Sequence, residues 1–273
     1  MKSEYLSLIL KECVLLKIAS FNINGIRARI ATLLRWLSET KPDVVILQEI
    51  KSTDETFPKN EIEQLGYNIQ THGQKSFNGV AILSLFSIED LKTGLDGDPK
   101  DLQARWIEAE INTLRICGLY LPNGNPCPGP KFDYKIEWMN RFYQRAVDII
   151  NSEQPTVILG DFNVIPQRED AADPELWTND ALYCYETRSQ FRKLINLGFT
   201  DALRALHPTE KVFTFWDYQK GSWQKNNGIR IDHILLSPQA SDRLKSCQID
   251  SYMRGEDRPS DHAPIWIELN TDH

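Results

Sequence analysis

Short apolar runs recur along the chain, and each has the length of a β-strand. The segment RWIEAEI alternates apolar and polar residues, which is typical of a strand with one buried face. This pattern predicts strands at residues 16–21, 44–47, 80–83, 106–111, 114–121, 157–159, 231–236 and 265–269.

Other apolar residues follow the period of a helix. Residues 30–37 place isoleucine and leucine at every third or fourth position, and the helix that they predict ends before Pro42. The same period predicts helices near 135–151 and 189–197, with a Pro- and Gly-rich loop at 122–130 and a long surface segment at 166–188. Because strands and helices mix without strict alternation, the pattern favours an α/β fold of two packed sheets with helices outside.

A polar residue stands at or near one end of several predicted strands. One such coincidence means little, but its repetition at six strands indicates that the strand ends converge on one polar pocket. The residues at these positions are Asn22, Glu49, Tyr120, Asp161, Asn163, Asp232, Asp261 and His262.

The segment TVILGDFN raises a choice between two local structures. If the strand continues through Phe162, Asp161 and Asn163 point the same way and could hold one ligand. A turn is the alternative, because Gly, Asp and Asn are common turn residues.

Most of the strand-end side chains offer oxygen ligands. Three carboxylates and two amides suit Mg²⁺ or Mn²⁺ better than zinc, and a site with one histidine and no cysteine points to phosphoryl chemistry. His262 beside Asp232 could be a base with its orienting carboxylate, with water as the nucleophile. A surface ion pair is the alternative for these two residues.

Composition narrows the class of protein. The chain has 273 residues, a net charge of −7 and 41% hydrophobic residues, which suits a globular α/β protein with a substantial core. Bulk charge does not indicate nucleic-acid binding, so an anionic partner must be met by local positive charge or by a metal. The cysteines lack zinc or redox spacing and indicate reduced thiols in a cytoplasmic protein; they are Cys13, Cys117, Cys127, Cys184 and Cys247.

The N-terminal apolar stretch is interrupted by Lys11 and Glu12, so it predicts neither a membrane-spanning helix nor a signal peptide. We interpret residues 1–13 as an extension, either a short added helix or an artefact of the assigned start. Residues 14–273 are then expected to form a single catalytic domain.

Seven motifs occur in order over nearly the whole chain: SFNINGIRAR, LQEIK, GLYLPNG, GDFNVIP, FTFWDY, NNGIRIDHILLS and PSDHAPIW. Together they resemble the exonuclease III family of abasic-site DNA endonucleases, within the endonuclease/exonuclease/phosphatase superfamily that includes DNase I. GDFN and SDH are shared across the superfamily, whereas FTFWDY, NNGIRID and SFNINGIRAR favour the repair enzymes.

The resemblance implies a four-layer α/β sandwich, with two mixed sheets face to face and helices outside. It implies a Mg²⁺- or Mn²⁺-dependent hydrolase that cuts double-stranded DNA 5′ to abasic sites and also acts on 3′ ends. We further expect a monomer that does not associate with membranes.

The resemblance also assigns roles to the strand-end residues. Glu49 is the main metal carboxylate, and the remaining candidates near the metal are Asn22, Asp161, Asn163, Asp261 and His262. Asn163, His262 and Tyr120 contact the scissile phosphate, while Asp232 orients His262. Asp161 positions or deprotonates water or protonates the leaving oxygen, and the choice of base between Asp161 and the His262–Asp232 pair stays open.

DNA-binding residues follow from the same resemblance. Phe215, Ile229 and Ile231 would enclose the base-free sugar, although family members often have Trp where Ile229 stands. Backbone phosphates would be held by Asn24, Gly25, Arg27, Arg29 and Lys131, the last of these in the 122–134 loop. Ordinary core packing for Phe215 and a solvated helix start for the arginines are the alternatives.

Two other functions remain possible for this sequence. A lipid or inositol phosphatase on the same scaffold would keep GDFN and SDH but has no use for FTFWDY. A DNA-binding protein without activity would be expected to lack Glu49, Asp161 or His262, and all three are present.

Overall fold

The computed structural model describes residues 15–271 and builds them into strands and helices in mixed order. The strands are β1 (Leu15–Asn22), β2 (Val44–Gln48), β3 (Asn68–His72), β4 (Val80–Ser84), β5 (Glu89–Thr93), β6 (Trp106–Ile111), β7 (Leu114–Tyr120), β8 (Thr156–Asp161), β9 (Thr200–Asp201), β10 (Asp232–Leu236), β11 (Leu244–Ile249) and β12 (Ile265–Asn270). The α-helices are α1 (Ile26–Thr40), α2 (Lys59–Glu63), α3 (Pro130–Ser152), α4 (Tyr185–Leu197), α5 (Ala202–Leu206) and α6 (Pro238–Ser241).

Within residues 15–271 the strands form two six-stranded sheets. The first has the order β11-β12-β1-β2-β4-β3 and the second β5-β6-β7-β8-β10-β9. β1 and β2 run parallel at the centre of the first sheet, as β7 and β8 do in the second, and their other neighbours are antiparallel. Each sheet is therefore mixed around one central parallel pair.

The two sheets pack face to face through apolar side chains that are fully buried. Ile18 and Ile46 of the first sheet belong to one cluster with Ile116 and Leu159 of the second. Gly118 lets the sheets approach closely, because a Cβ there would lie 2.4 Å from the Ile46 side chain.

Helices cover the outer faces of both sheets. Trp36 and Leu37 of α1 pack on the first sheet, and Trp138, Phe142 and Phe191 of α3 and α4 pack on the second. The predicted four-layer sandwich is confirmed.

Some element boundaries differ from the sequence predictions. α3 begins at Pro130, within the predicted loop, because proline is favoured in the first turn of a helix. Residues 166–188 hold two short 3₁₀ turns, and part of the segment is not on the surface, because Ala171, Leu182 and Tyr183 are buried with Ile229 and Ile231. The interpretation of residues 1–13 lies outside the described residues. No helix between residues 15 and 271 is long and apolar enough to cross a membrane.

Candidate active site

Strand ends from both sheets meet at one edge of the sandwich. In the parallel pairs, Asn22 lies opposite Gln48, the residue before Glu49, and Tyr120 lies opposite Asp161. Asp232 begins antiparallel β10 opposite Asp161, so it joins the same edge. The predicted convergence of polar strand ends is therefore present.

Three ionisable side chains form the centre of this site. Glu49, Asp161 and His262 place one ligand atom each within 4.8 Å of one another. Glu49 has a φ of 49°, a conformation that is costly for a residue with a side chain and that clusters at functional sites. The three groups are close enough to hold one metal ion.

Hydrogen bonds fix the Glu49 carboxylate in its charged form. Lys51 Nζ lies 2.8 Å from one oxygen, and Asn22 Nδ2 donates to the other at 3.0 Å. Although burial acts in the opposite direction, these two contacts lower the pKa of Glu49.

Asn22 joins the two halves of the site through its amide nitrogen. Nδ2 donates to Glu49 and also to Asp161 Oδ2 at 3.0 Å, while Oδ1 accepts from the backbone N–H of Asn24. Its amide oxygen is thus engaged in the protein, and a role of Asn22 as a metal ligand stays a prediction.

His262 lies between two carboxylates. Its Nδ1 is 2.8 Å from Asp232 Oδ2, and its Nε2 is 3.7 Å from Asp161 Oδ2. Burial disfavours the charged imidazole, but Asp232 and Asp161 together raise the pKa of His262. Burial raises the pKa of Asp161; the charged His262 opposes this rise, and the Asp232 and Glu49 carboxylates reinforce it. The pair can therefore keep one proton on His262 and use Asp161 as a proton acceptor near neutral pH.

The residues after β8 form a turn, so the alternative of a continued strand is wrong. Asn163 has a φ of 48°, and its backbone N–H donates to Asp161 Oδ1 at 2.9 Å. The Asn163 side chain is held by Leu121 O and by Asn123 Nδ2. Both Asp161 and Asn163 nevertheless line the same cavity.

Tyr120 lines the same cavity as the Glu49 and Asp161 carboxylates. Burial, together with the Glu49 and Asp161 carboxylates, raises the pKa of Tyr120 well above its usual value. The phenol therefore keeps its proton and can act as a hydrogen-bond donor.

Asp261 and the loop after β1 form one rim of the site. Asn24 Nδ2 donates to Asp261 Oδ1 at 2.9 Å, and Arg29 donates to the Tyr218 hydroxyl at 3.0 Å. Gly25 has a φ of 99°, which favours glycine at the tight turn into α1.

The other predicted phosphate-binding residues lie further from the centre. Arg27 donates to Thr56 O from an exposed position and is not among the cavity residues. Lys131 is exposed in the first turn of α3, not in a loop. Their contacts with DNA stay predictions.

The cavity has a volume of about 240 Å³ and one apolar wall. Trp177, Leu182, Phe215 and Ile231 form this wall, and the Phe215 ring packs edge-on against His262 with centroids 5.0 Å apart. Ile229 is buried beside Phe215 and does not line the cavity.

Sequence patterns missed several cavity residues. Asn123 follows the end of β7 by three positions, so the strand-end pattern could have included it. Trp177 and Leu182 come from the 166–188 segment, whose polar composition carries no sign of where it folds.

Comparisons with known proteins agree with this geometry. A model of the endonuclease/exonuclease/phosphatase family matches residues 19–262. Exodeoxyribonuclease III from Haemophilus influenzae is 35% identical over 269 residues, covering 93% of this chain and all of that protein. An AP endonuclease structure from Archaeoglobus fulgidus has a TM-score of 0.90 and 37% identity, covering 93% and 99% of the two chains. A Neisseria 3′ phosphatase bound to a product DNA hairpin has a TM-score of 0.91 and 36% identity, covering 93% and 99%.

The fold and the site define an enzyme of the phosphoester-hydrolysing type. The chain belongs to the endonuclease/exonuclease/phosphatase family, and the prediction of a nuclease related to exodeoxyribonuclease III is confirmed.

Proposed function

We propose that this protein hydrolyses the phosphodiester 5′ to abasic sites in double-stranded DNA and also trims or unblocks 3′ ends. The observation that carries the proposal is the joint presence, in one cavity, of the Glu49–Asp161–His262 cluster and an apolar wall. The cluster suits a phosphate, and the wall suits a sugar that has lost its base.

The donor set fits a hard divalent cation, Mg²⁺ or Mn²⁺. Glu49 is the proposed main ligand, and Asp161 lies beside it; a protonated His262 has no free nitrogen lone pair, so it lies near the ion without binding it. Asp261, Asn22 and Asn163 are the further candidates for direct or water-mediated contact. When bound, the ion neutralises charge on the phosphate oxygens and offsets repulsion from the surrounding carboxylates.

The proton chemistry divides between two residues. Asp161 accepts the proton of the attacking water, because burial raises its pKa towards neutral pH. His262, kept protonated by Asp232, donates a hydrogen bond to the scissile phosphate. Asn163 and Tyr120 donate to the same group, and such donors stabilise the charge that develops in the transition state.

The apolar wall supports selection of a base-free sugar. Phe215 and Ile231 line the space beside His262, and Trp177 faces it from the 166–188 segment. A small flipped-out sugar can enter a slot that would exclude a full nucleotide. Asn24, Gly25 and Arg29 lie at the rim, where they could hold the DNA backbone.

One assay tests the proposal. A labelled duplex with a single abasic analogue is incubated with Mg²⁺, Mn²⁺ or chelator, and a gel separates internal incision from 3′ shortening. We expect incision with metal and none with chelator. Purified Asp161→Asn, prepared in parallel, shows whether any residual cutting comes from a contaminating nuclease.

The result against the proposal is equally clear. Hydrolysis of inositol or lipid phosphates without cleavage of the abasic duplex would select the phosphatase hypothesis. Metal-dependent binding of the duplex without cutting would select the DNA-binding hypothesis.

We also propose that residues 14–273 act as one catalytic domain in the cytoplasm. The family match over residues 19–262 supports the domain, and the free thiols of Cys117, Cys127, Cys184 and Cys247 fit a reducing compartment. The monomeric state stays a prediction, which sedimentation analysis can test.

A further inference from the structure

A lysine that no part of the proposed chemistry uses lies directly behind the active site. Lys135 is in the second turn of α3 and its side chain is completely buried. Burying an amine is costly unless its donors are satisfied, so its partners indicate why it is there.

Both hydrogen bonds of the amine go to residues that line the cavity. Lys135 Nζ donates to Asn163 O at 2.6 Å and to Asn123 O at 3.0 Å. One amine therefore ties together the turn after β8 and the loop after β7. Both acceptors are backbone carbonyl oxygens, so Lys135 holds two backbone segments in place and forms no ion pair through these contacts.

The two residues that accept hydrogen bonds from Lys135 also contact each other through their side chains. Asn123 Nδ2 donates to Asn163 Oδ1 at 3.1 Å, and Asn163 Nδ2 donates to Leu121 O at 2.9 Å. Asn163 itself has a φ of 48°, which places its side chain by a turn rather than by the regular sheet. The lysine thus closes a ring of hydrogen bonds around one amide.

The loop is shaped around this lysine. A Cβ at Gly124 would lie 2.6 Å from Lys135 Cδ, and Gly124 has a φ of 90°. A residue that merely filled space in the core would not need two backbone acceptors and a glycine beside its stem.

We propose that Lys135 is a positioning residue that sets the Asn163 amide for contact with the scissile phosphate. The proposal rests on the proposed function in so far as Asn163 contacts the phosphate. It gives Lys135 no direct contact with substrate.

The test is a double-mutant cycle between Lys135→Met and Asn163→Ala. Kinetics are measured on the abasic duplex and on the generic diester bis(p-nitrophenyl) phosphate. We expect Lys135→Met to lower kcat by about 10- to 100-fold, as loss of an orienting partner does, with KM changed far less. In the Asn163→Ala background the same substitution should lower kcat by less than about threefold, because residues that act as one unit are not additive.

Two variants separate positioning from general destabilisation. Arg141→Met removes another cation of α3, one that pairs with Asp101, and should leave kcat near the wild-type value. Circular dichroism and thermal unfolding show whether each variant is folded. If Lys135→Met does not fold, the same cycle is run with Lys135→Gln, which keeps a nitrogen donor of shorter reach.

Two results would overturn the proposal. One is a folded Lys135 variant with wild-type kcat, and the other is a cycle in which the two losses multiply. If the wild type cleaves the diester but not the abasic duplex, the proposed DNA function fails and the cycle on the diester still decides the role of Lys135.

Discussion

Asp161 Oδ2 lies 3.7 Å from His262 Nε2, and the proposed mechanism requires both residues. We expect Asp161→Asn and His262→Ala each to lower abasic-site incision by at least about 100-fold, because one loses the proton acceptor and the other a donor to the phosphate. Single-turnover incision measures the rate, and fluorescence anisotropy measures binding of the same duplex.

Binding should be largely retained in both variants, since neither side chain belongs to the apolar wall or to the Arg29 rim. Wild-type turnover in either variant would remove that residue from the mechanism. Asp217→Asn is a matched control, because Asp217 also lines the cavity but makes no contact with the Glu49–Asp161–His262 cluster among the described hydrogen bonds.

Glu49 gives the clearest test of metal binding. We expect Glu49→Ala to lower activity by about 10- to 100-fold at low Mg²⁺ and to recover part of that loss as Mg²⁺ is raised, because a lost ligand weakens metal affinity. Activity titrated with Mg²⁺ and with Mn²⁺ measures the shift. Glu61→Ala, an exposed carboxylate of α2, should titrate like the wild type; a Glu49→Ala defect that metal concentration does not change would contradict the ligand role.

The site residues predicted from sequence share one property. Asn22, Glu49, Tyr120 and Asp161 terminate apolar strands or directly follow them, so a change in polarity along the chain marks them. The places of Lys51 and Lys135 in the site depend on which segments meet in three dimensions, and no local pattern contains that information. The same reason explains why Ile229 was placed in the wall and Trp177 was not.

At the scale of elements, hydrophobic periodicity predicted the inner strands and missed the edges. The strands without a sequence prediction are β3, β5, β9 and β11, and these four lie at the edges of the two sheets. All five residues of β5 are exposed, and β3 is at best half-buried. An edge strand has a neighbour on one side and less covering, so it lacks the apolar run that periodicity detects.

Gly160 links strand packing to catalysis, because it precedes Asp161 in β8. A Cβ at this position would lie 2.0 Å from the backbone oxygen of Leu119 in the paired strand β7. We expect Gly160→Ala to destabilise the protein by about 1–3 kcal/mol and to lower incision sharply, since the shift moves Asp161 relative to Tyr120. Chemical denaturation and single-turnover kinetics measure the two effects.

Gly94→Ala provides the control for backbone strain alone. Gly94 has a φ of 79°, but a Cβ there meets nothing within 4 Å, and it lies beyond the end of edge strand β5. This variant should lose stability with normal kinetics in the folded protein. Equal incision rates for Gly160→Ala and Gly94→Ala would show that the β7–β8 contact does not control the site.

At the scale of the whole molecule, the protein is acidic. The net charge of −7 opposes DNA, so we expect productive binding to depend on the proposed contacts of local groups such as Arg29 and on the proposed metal site. This net charge does not determine how stability changes with pH. That dependence comes from buried groups whose ionisation differs between the folded and unfolded chain.

His233 is such a group. It is completely buried between Phe162 and Phe191, with Nδ1 2.9 Å from Arg230 Nη1 and Nε2 2.9 Å from Val164 O. Burial, together with the Arg230 guanidinium, lowers the pKa of His233 to about 4. In the unfolded chain its pKa returns to about 6.5. Between these two values the unfolded chain binds a proton that the folded protein does not.

The stability contributed by neutral His233 is therefore complete above pH of about 6.5 and is lost as the pH falls towards about 4. Urea denaturation between pH 4 and pH 7 should show this loss in the wild type, with a slope from this one group of up to about 1.4 kcal/mol per pH unit. His233→Gln removes the titrating ring, so the pH dependence of its stability should be flatter by that amount. Parallel wild-type and His233→Gln curves would mean that His233 takes up its proton while the fold is still intact.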